Sequence, residues 1–308
     1  MNRRDLIRGS TIGAAVAAVG TRALAATPAS EPFRYCLNTS TLQGFKLPIA
    51  EELALAASVG YQGVEPWIHE LEAHEAGGHS VVELGKKARD LGLAFPSVIG
   101  FFEWVVDDEA RRRQGFESAR KCMELVKKLG GTHIAAPPVG ATDQAGLDLD
   151  RITKRYVKLI ELGREIGVLP EVEVWGFSKT LGRLADASYV AIASGAADAT
   201  ILPDVYHMYK GGTPHRGLLM LNGKAIPAIH MNDYPSTPDR ATIKDEHRVY
   251  PGDGVAPLGE ILRDLRAIGF EGHLSLELFN REYWKQDPKT VAETGLQRMK
   301  SAVRAALG

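Results

Sequence analysis

The 308-residue sequence contains only two cysteines, Cys36 and Cys122. One falls in a β-prone run and the other in an amphipathic run, so no clustered thiolate zinc site can form. A domain of this size has little need of a covalent staple, and the pair is read as two buried free thiols rather than a bridge. Excess positive charge is also missing. The net charge is −1, and Arg3, Arg4, Arg8 and Arg22 stand against Asp5 alone in the first 25 residues, leaving 33 basic and 37 acidic groups elsewhere, a net −4. A mildly acidic body lacks the phosphate-neutralising footprint of a nucleic-acid binder, so no DNA or RNA partner is expected. No run approaches the ~20 strongly apolar residues of a membrane span, and no stable membrane anchor is expected. Low-complexity tracts, long charge blocks and Pro/Ser/Gly-rich linkers are absent, and 44% hydrophobic with 24% charged residues is the composition of a folded domain.

Residues 1–25 have a separate logic. Asn2-Arg3-Arg4-Asp5-Leu6-Ile7-Arg8 is a charged head, Gly9 to Gly20 is small and weakly apolar, and Ala23-Leu24-Ala25 is a small-residue cleavage site. The arrangement resembles a twin-arginine export signal. It implies delivery of a folded protein to the periplasm by the twin-arginine export machinery and leaves residues 26–308 as the mature domain.

In that domain, short β-prone runs alternate with longer amphipathic ones, a pattern satisfied by a parallel sheet covered with helices. Eight strand candidates lie at 33–38, 62–66, 94–101, 132–138, 169–175, 200–205, 225–232 and 272–279. Helix-like segments include 49–59, 81–91, 110–129, 149–166, 257–268 and 288–307, and Gly60, Gly92, Gly130, Gly167 and Gly269 punctuate helix exits. The regular repeat predicts one α/β domain, a single (β/α)8 TIM barrel. An open doubly wound sheet would show a Gly-rich phosphate loop after its first strand, where this chain reads Thr39-Ser40-Thr41-Leu42-Gln43-Gly44. A homo-oligomer is compatible with all of this.

A TIM barrel carries its chemistry at the C-terminal ends of its strands. The last four candidates place polar residues there: Glu171 and Glu173, Asp204 and His207, His230 and Asp233, and Glu277. Side chains alternate along a strand, so Glu277, flanked by Leu276 and Leu278, faces the barrel interior. Several inward carboxylates would repel one another at high cost unless a cation joined them. Three carboxylates and one imidazole make a hard, mostly oxygen donor set. Such a set suits Mn2+ or Mg2+ and admits Zn2+ or Co2+. Trp67, Phe101, Trp104 and Trp175 offer an apolar pocket floor. Glu65 is read as substrate-facing at the end of the second strand, and the loop residues His69, His74 and His79 as a solvated polar segment.

Glu173 in Glu-Val-Trp-Gly, Asp204 with His207 three residues on, His230 in Ile-His-Met-Asn-Asp and Glu277 in Leu-Ser-Leu-Glu resemble the xylose-isomerase-like TIM-barrel superfamily. Within it, the resemblance is to the sugar phosphate isomerase/epimerase group, which includes ketose 3-epimerases and hydroxypyruvate isomerases. It implies one divalent metal ion held by Glu173, Asp204, His230 and Glu277, with Glu173 and Glu277 moving protons beside a sugar carbonyl and His207 steadying the enediolate. Arg248, in a loop ending Pro-Gly-Asp-Gly, would clamp an anionic or polyhydroxy substrate. The chain departs from the ketose 3-epimerase pattern after Trp175, where Lys179 stands in place of a second carboxylate and would alter substrate recognition. The expected activity is isomerisation or epimerisation of a small sugar or hydroxy-keto compound. Elimination or hydrolysis of a 3-keto-glycoside, which begins with the same proton removal, and a non-catalytic sugar-binding barrel are the alternatives.

Overall fold

The computed structural model describes residues 31–308, and the leader expected over residues 1–25 lies outside the described residues. Seven regular parallel strands form the inner wall: β1 (Arg34–Asn38), β2 (Gly63–Glu65), β3 (His133–Ala136), β4 (Leu169–Glu173), β5 (Thr200–Leu202), β6 (Ala228–Met231) and β7 (His273–Leu276). They pair in the orders β2-β1-β7-β6 and β3-β4-β5. Two links close the ring. Asp204 bridges His230 between β5 and β6, and residues 94–99 fill the place between β2 and β3. The fold is thus an eight-staved TIM barrel.

The third stave corrects the expectation of a regular strand over 94–101. It pairs only through isolated bridges, Gly63 with Ala94 and Trp67 with Ile99. Pro96 has no N–H to give to a ladder, so the segment is held by scattered bonds such as Val64 N–H to Ala94 O (2.9 Å) and Ala135 N–H to Val98 O (2.8 Å). The sixth candidate also ends early. Asp204 leaves the strand to cap the helix that follows, its Oδ1 accepting the His207 N–H at 2.8 Å.

Helices α1 (Ile49–Val59), α2 (Ile68–Ala76), α3 (Val81–Asp90), α4 (Glu109–Leu129), α5 (Leu149–Ile166), α6 (Leu184–Ala193), α7 (Val205–Lys210), α8 (Leu258–Ala267) and α9 (Pro288–Leu307) surround the strands. Ser80, Asp108, Asp148 and Asp287 cap the N-termini of α3, α4, α5 and α9. Gly60 and Gly167 close α1 and α5 in the left-handed conformation, with φ of 99° and 94°. No helix among the described residues is long and apolar enough to cross a membrane. Cys36 and Cys122 are free and buried, in β1 and α4.

Two apolar layers result. The larger lies between strands and helices. The smaller lies inside the barrel, where Ile99, Ala135, Leu202 and Ala228 pack beneath Trp67 and Phe101. This inner layer forms the apolar part of the barrel interior, with buried polar side chains beside it.

The Glu70 side chain fixes the wall carrying Trp67. Glu70 Oε2 accepts from Trp67 N–H (2.8 Å) and Thr39 Oγ1 (2.6 Å), and Glu52 of α1, 1% exposed, lies against Glu70. Burial first, and then the Glu70 carboxylate, push the Glu52 carboxyl up from 4.5 to about 9. The folded chain therefore keeps a proton that the unfolded chain releases above pH 4.5. The stability that this proton confers is full below that pH and is lost as pH rises toward 9, at no more than about 1.4 kcal/mol per pH unit. In urea titrations at pH 5 and pH 8, Glu52→Gln should lose less stability between the two pH values than the parent chain. An equal loss in both proteins would show that Glu52 is ionised in the fold.

Candidate active site

Alternation along the staves sends Asn38, Glu65, Glu171, Glu173, Asp204, His230, Ser275 and Glu277 into the barrel, and all are buried. Register sets their heights, with Asn38 opposite Glu65, Glu173 opposite Leu202, His230 opposite Ser275 and Asp204 bridged to His230. Above them opens a cavity of about 570 Å³ at the C-terminal end of the strands, lined at its polar base by Glu173, His207, Arg248 and Glu277. Its walls include Trp67, Phe101, Trp175, Phe177, Phe279 and Trp284.

His230 is the centre of the polar group. Its Nε2 lies 3.1 Å from Glu65 Oε2, which also accepts from Ser275 Oγ (2.6 Å) and Asn38 Nδ2 (2.9 Å). Glu65 therefore fixes the ring and keeps the Nε2 hydrogen in place. The other nitrogen, Nδ1, stands 3.1 Å from Glu277 Oε2 and 3.4 Å from Asp204 Oδ2 but makes a directed hydrogen bond to neither. Asn232 donates to both Asp204 oxygens at 3.3 Å and accepts the Tyr206 N–H at 2.8 Å, which orients the aspartate.

Arg248, 1% exposed, enters the same space. Its Nη1 donates to Asp204 Oδ2 (3.1 Å) and Glu277 Oε2 (2.5 Å), while Nη2 donates to Asp245 Oδ1 and lies 3.1 Å from His207 Nε2. The guanidinium also sits over the rings of Tyr206 and Phe279, 4.4 and 5.0 Å from their centroids. The loop bearing it is tied down by Asp233, whose carboxylate accepts the N–H groups of Tyr234, Gly252, Gly254 and Ala256 at 2.7–3.1 Å.

These contacts pull the ionisable groups apart. Burial would raise Asp204, but the charge of Arg248 above all outweighs it and holds the carboxyl well below the usual range. Burial would lower His230, yet the Glu277 and Glu65 carboxylates raise it well above an ordinary imidazole. His207 is lowered, mainly by burial, and stays neutral. Burial pushes Glu173 up to about 8, with the Glu277 and Asp204 charges adding to the rise and that of His230 opposing it. Glu171, two residues deeper on the same face, is raised well above the carboxylate range by burial, and its Oε2 accepts from Ser97 Oγ.

The donor set fits a divalent cation. Asp204, His230 and Glu277 each offer an atom within 4.8 Å of the others'. Nδ1 of His230 lacks a directed partner, and a cation would replace its proton. Glu173 stands outside this tight group, but it lines the same cavity, and its Oε2 is buried without a partner while Oε1 accepts from Trp175 Nε1 at 2.9 Å. Arg248 occupies one side of the Asp204 and Glu277 oxygens. Arg248 and His230 face the carboxyl groups of Asp204, Glu277, Asp245 and Glu65, and each carboxylate oxygen has lone pairs for more than one partner.

A family profile described as a xylose isomerase-like TIM barrel matches residues 53–302. The chain belongs to that family. Inosose isomerase from Bacillus velezensis is 25% identical over 88% of this chain and 97% of its own. Fructoselysine 3-epimerase from Escherichia coli O157:H7 is 22% identical over 83% of this chain and 94% of its own. Among solved structures, the IolI protein with a bound zinc atom superposes with a TM-score of 0.81 at 22% identity, covering 90% of this chain and all of the other.

Within this xylose isomerase-like barrel, several expected positions are placed otherwise. Glu65 does not face substrate. It is fully buried and its hydrogen bonds go to His230, Ser275 and Asn38, because β2 ends one layer below the cavity. Trp104 does not floor the pocket. It is fully buried, its Nε1 bonded to the carbonyls of Ala136 and Pro137. Lys179 is exposed and outside the cavity lining, since the turn after Trp175 folds back to bond Thr142 O through its own backbone N–H. Arg248 does line the cavity, but both Nη atoms are already taken by protein partners, which leaves only Nε without one. Trp67, Trp175, His207, Glu173 and Glu277 also line the cavity. Asn38, Ser275, Asn232 and Asp245 were missed. Asn38 and Ser275 sit on inward positions of β1 and β7, and Asn232 lies two residues beyond His230 on the same face, so the alternation rule applied to every strand would have found them.

Breaking a buried ion pair from one side leaves the other partner uncompensated, at a cost of about 3–5 kcal/mol. Arg248→Met should lower the urea-unfolding stability by that amount in chelator. Excess Mn2+ should restore part of it, because a bound ion stabilises the fold by mass action. An identical loss with and without the ion would mean that Asp204 and Glu277 do not capture one.

Proposed function

We propose that the protein is a divalent-metal-dependent isomerase or epimerase that moves a proton at the carbon beside the carbonyl of a small polyhydroxy ketone or aldehyde. The observation that carries this reading is the pairing of two buried carboxylates, Glu173 and Glu277, at the base of one aromatic-walled cavity, around an imidazole whose inward nitrogen has no directed partner. The names of the similar proteins, an inosose isomerase and a fructoselysine 3-epimerase, support it.

A cation held by Asp204, His230 and Glu277, with Glu173 as fourth ligand, would polarise the substrate carbonyl and acidify the neighbouring C–H. The hard donor set suits Mn2+ or Mg2+ and admits Zn2+ or Co2+. In this reading one of Glu173 and Glu277 removes the proton to leave an enediolate, and the other returns one. Return to the same carbon from the other face epimerises, and return to the adjacent carbon isomerises. His207 supports the developing oxyanion. Its Nε2 faces the permanently charged Arg248, so the ring hydrogen sits on Nδ1, a buried donor with no protein partner. The aromatic walls exclude water from the reacting carbon. With residues 1–25 read as an export leader, the reaction would take place in the periplasm, where an unphosphorylated substrate is favoured.

A screen of ketoses, aldoses and keto-glycosides in deuterated water, with Mn2+ added, tests the reading. The parent should incorporate solvent deuterium beside the carbonyl of at least one substrate, and Glu277→Gln should lower the rate by about a hundredfold or more. Exchange at the parental rate by both Glu277→Gln and Glu173→Gln would sink it. Glu65→Gln probes the support beneath His230. Its expected effect is a metal affinity weakened about 10–100-fold, measured by titration against a competing chelator. Unchanged affinity would release Glu65 from that role.

A further inference from the structure

The aromatic wall is larger than proton transfer on a single sugar ring requires. Ring contacts run without a break from Trp67 to Phe101 (5.1 Å between centroids), to Trp175 (6.1 Å) and on to Phe177 (5.4 Å, planes 27° apart). Trp175 joins this row to the reacting end, because its Nε1 donates to Glu173 Oε1 at 2.9 Å. Phe177, the last ring of the row, packs on His207 on one side (5.8 Å between centroids) and leaves 48% of its surface in water although it lines the cavity. The opposite wall is rigid. Trp284 lies so flat on Gly44 that a Cβ there would stand 2.3 Å from its ring, and its Nε1 donates to Thr41 O at 3.0 Å.

A sugar ring held against Glu173 and Glu277 occupies the charged base of the cavity. Whatever it carries outward then meets the Trp175–Phe177 pair. An aromatic face left exposed beside an apolar wall gains free energy when a flat apolar partner covers it. The cavity of about 570 Å³ falls within the ~300–1,000 Å³ range of sites that take drug-sized ligands.

We propose that Trp175 and Phe177 form a second subsite that takes a ring substituent with a flat apolar face, so that the substrate is a glycoside rather than a free monosaccharide. The proposal rests on the isomerase or epimerase reading only in placing the reacting sugar at Glu173 and Glu277. An aromatic aglycone and the C–H face of a second pyranose share the chemistry this shelf recognises.

The test is calorimetric titration of the full chain, in Mn2+, with the methyl, p-nitrophenyl and glucosyl glycosides of 3-keto-glucose. The expected result is that a ring-bearing glycoside binds about three- to tenfold tighter than the methyl one. Preference for the p-nitrophenyl compound identifies an aglycone site, and preference for the glucosyl compound a sugar site. Phe177→Ala should bring the ratio close to one and Phe177→Trp should retain it, with unfolding midpoints recorded for both. Equal affinities in the parent, no binding by either ring-bearing glycoside, or a ratio that survives Phe177→Ala overturns the subsite. Deuterium exchange measured on the same compounds separates the two claims. Ring preference without exchange removes the proton-transfer reading and keeps the subsite, whereas exchange with equal affinities does the reverse.

Discussion

Concentrated negative charge at the C-terminal mouth of the barrel is the constraint to which the surrounding structure answers. Asp204, Glu277, Glu173 and Glu65 are buried, and Coulomb repulsion there is far stronger than at a surface. Each carboxylate is handled differently. Glu65 is held ionised by His230 and by donors from Ser275 and Asn38, which overcome its burial. Asp204 is held ionised chiefly by Arg248. Glu171 and Glu173 are pushed toward protonation by burial. The same residue type, on neighbouring staves of one barrel, is thus driven in opposite directions by the donors within reach.

Arg248 meets this constraint from outside the sheet. It comes from the connection after β6, and its loop needs an anchor of its own because a guanidinium among carboxylates must be positioned to within a fraction of an ångström. Asp233 supplies that anchor through four backbone N–H groups, and Val249 exchanges both of its backbone hydrogen bonds with Asp233. Gly254 is required at this point, since a Cβ would fall 2.2 Å from Tyr234 O. A single strand-end aspartate therefore links the regular frame to the irregular segment that carries the positive charge.

The barrel was legible in the sequence because helix, glycine and strand recur with a fixed rhythm, and because Glu277 and His230 each stand between apolar neighbours. The third stave was legible only as an extended run. Its β-prone residues gave no warning that Pro96 would reduce the ladder to two bridges. Within the site, inward direction could be read from alternation, but height could not. Glu65 and Glu173 look equivalent at the ends of their strands, yet β2 stops a layer lower and turns Glu65 into a support for His230. Trp104 and Trp175 look equivalent as aromatic residues, but only Trp175 reaches the cavity, because Trp104 spends its N–H on carbonyls after β3. Asp245 was invisible for a different reason. Its importance comes from Arg248 three residues later, and a loop carries no periodicity from which a shared direction can be inferred.

His207 shows how tightly the site's parts depend on one another. Its backbone N–H caps onto Asp204, so the aspartate that faces the cavity also fixes the first turn of the helix that presents the imidazole. Its Nε2 faces Arg248, which is always protonated and can only donate, so that nitrogen must accept. Burial keeps the ring neutral, and the one remaining hydrogen is forced onto Nδ1. A buried N–H without a partner is costly in a folded protein and is retained where something else completes it. In a cavity whose other polar atoms are mostly carboxylate acceptors, a neutral donor is the group suited to an oxygen that gains negative charge during reaction. Asp204, Arg248 and His207 thus act as a chain in which the carboxylate places the helix, the guanidinium sets the tautomer, and the imidazole is left with its only hydrogen on a buried, unpartnered Nδ1.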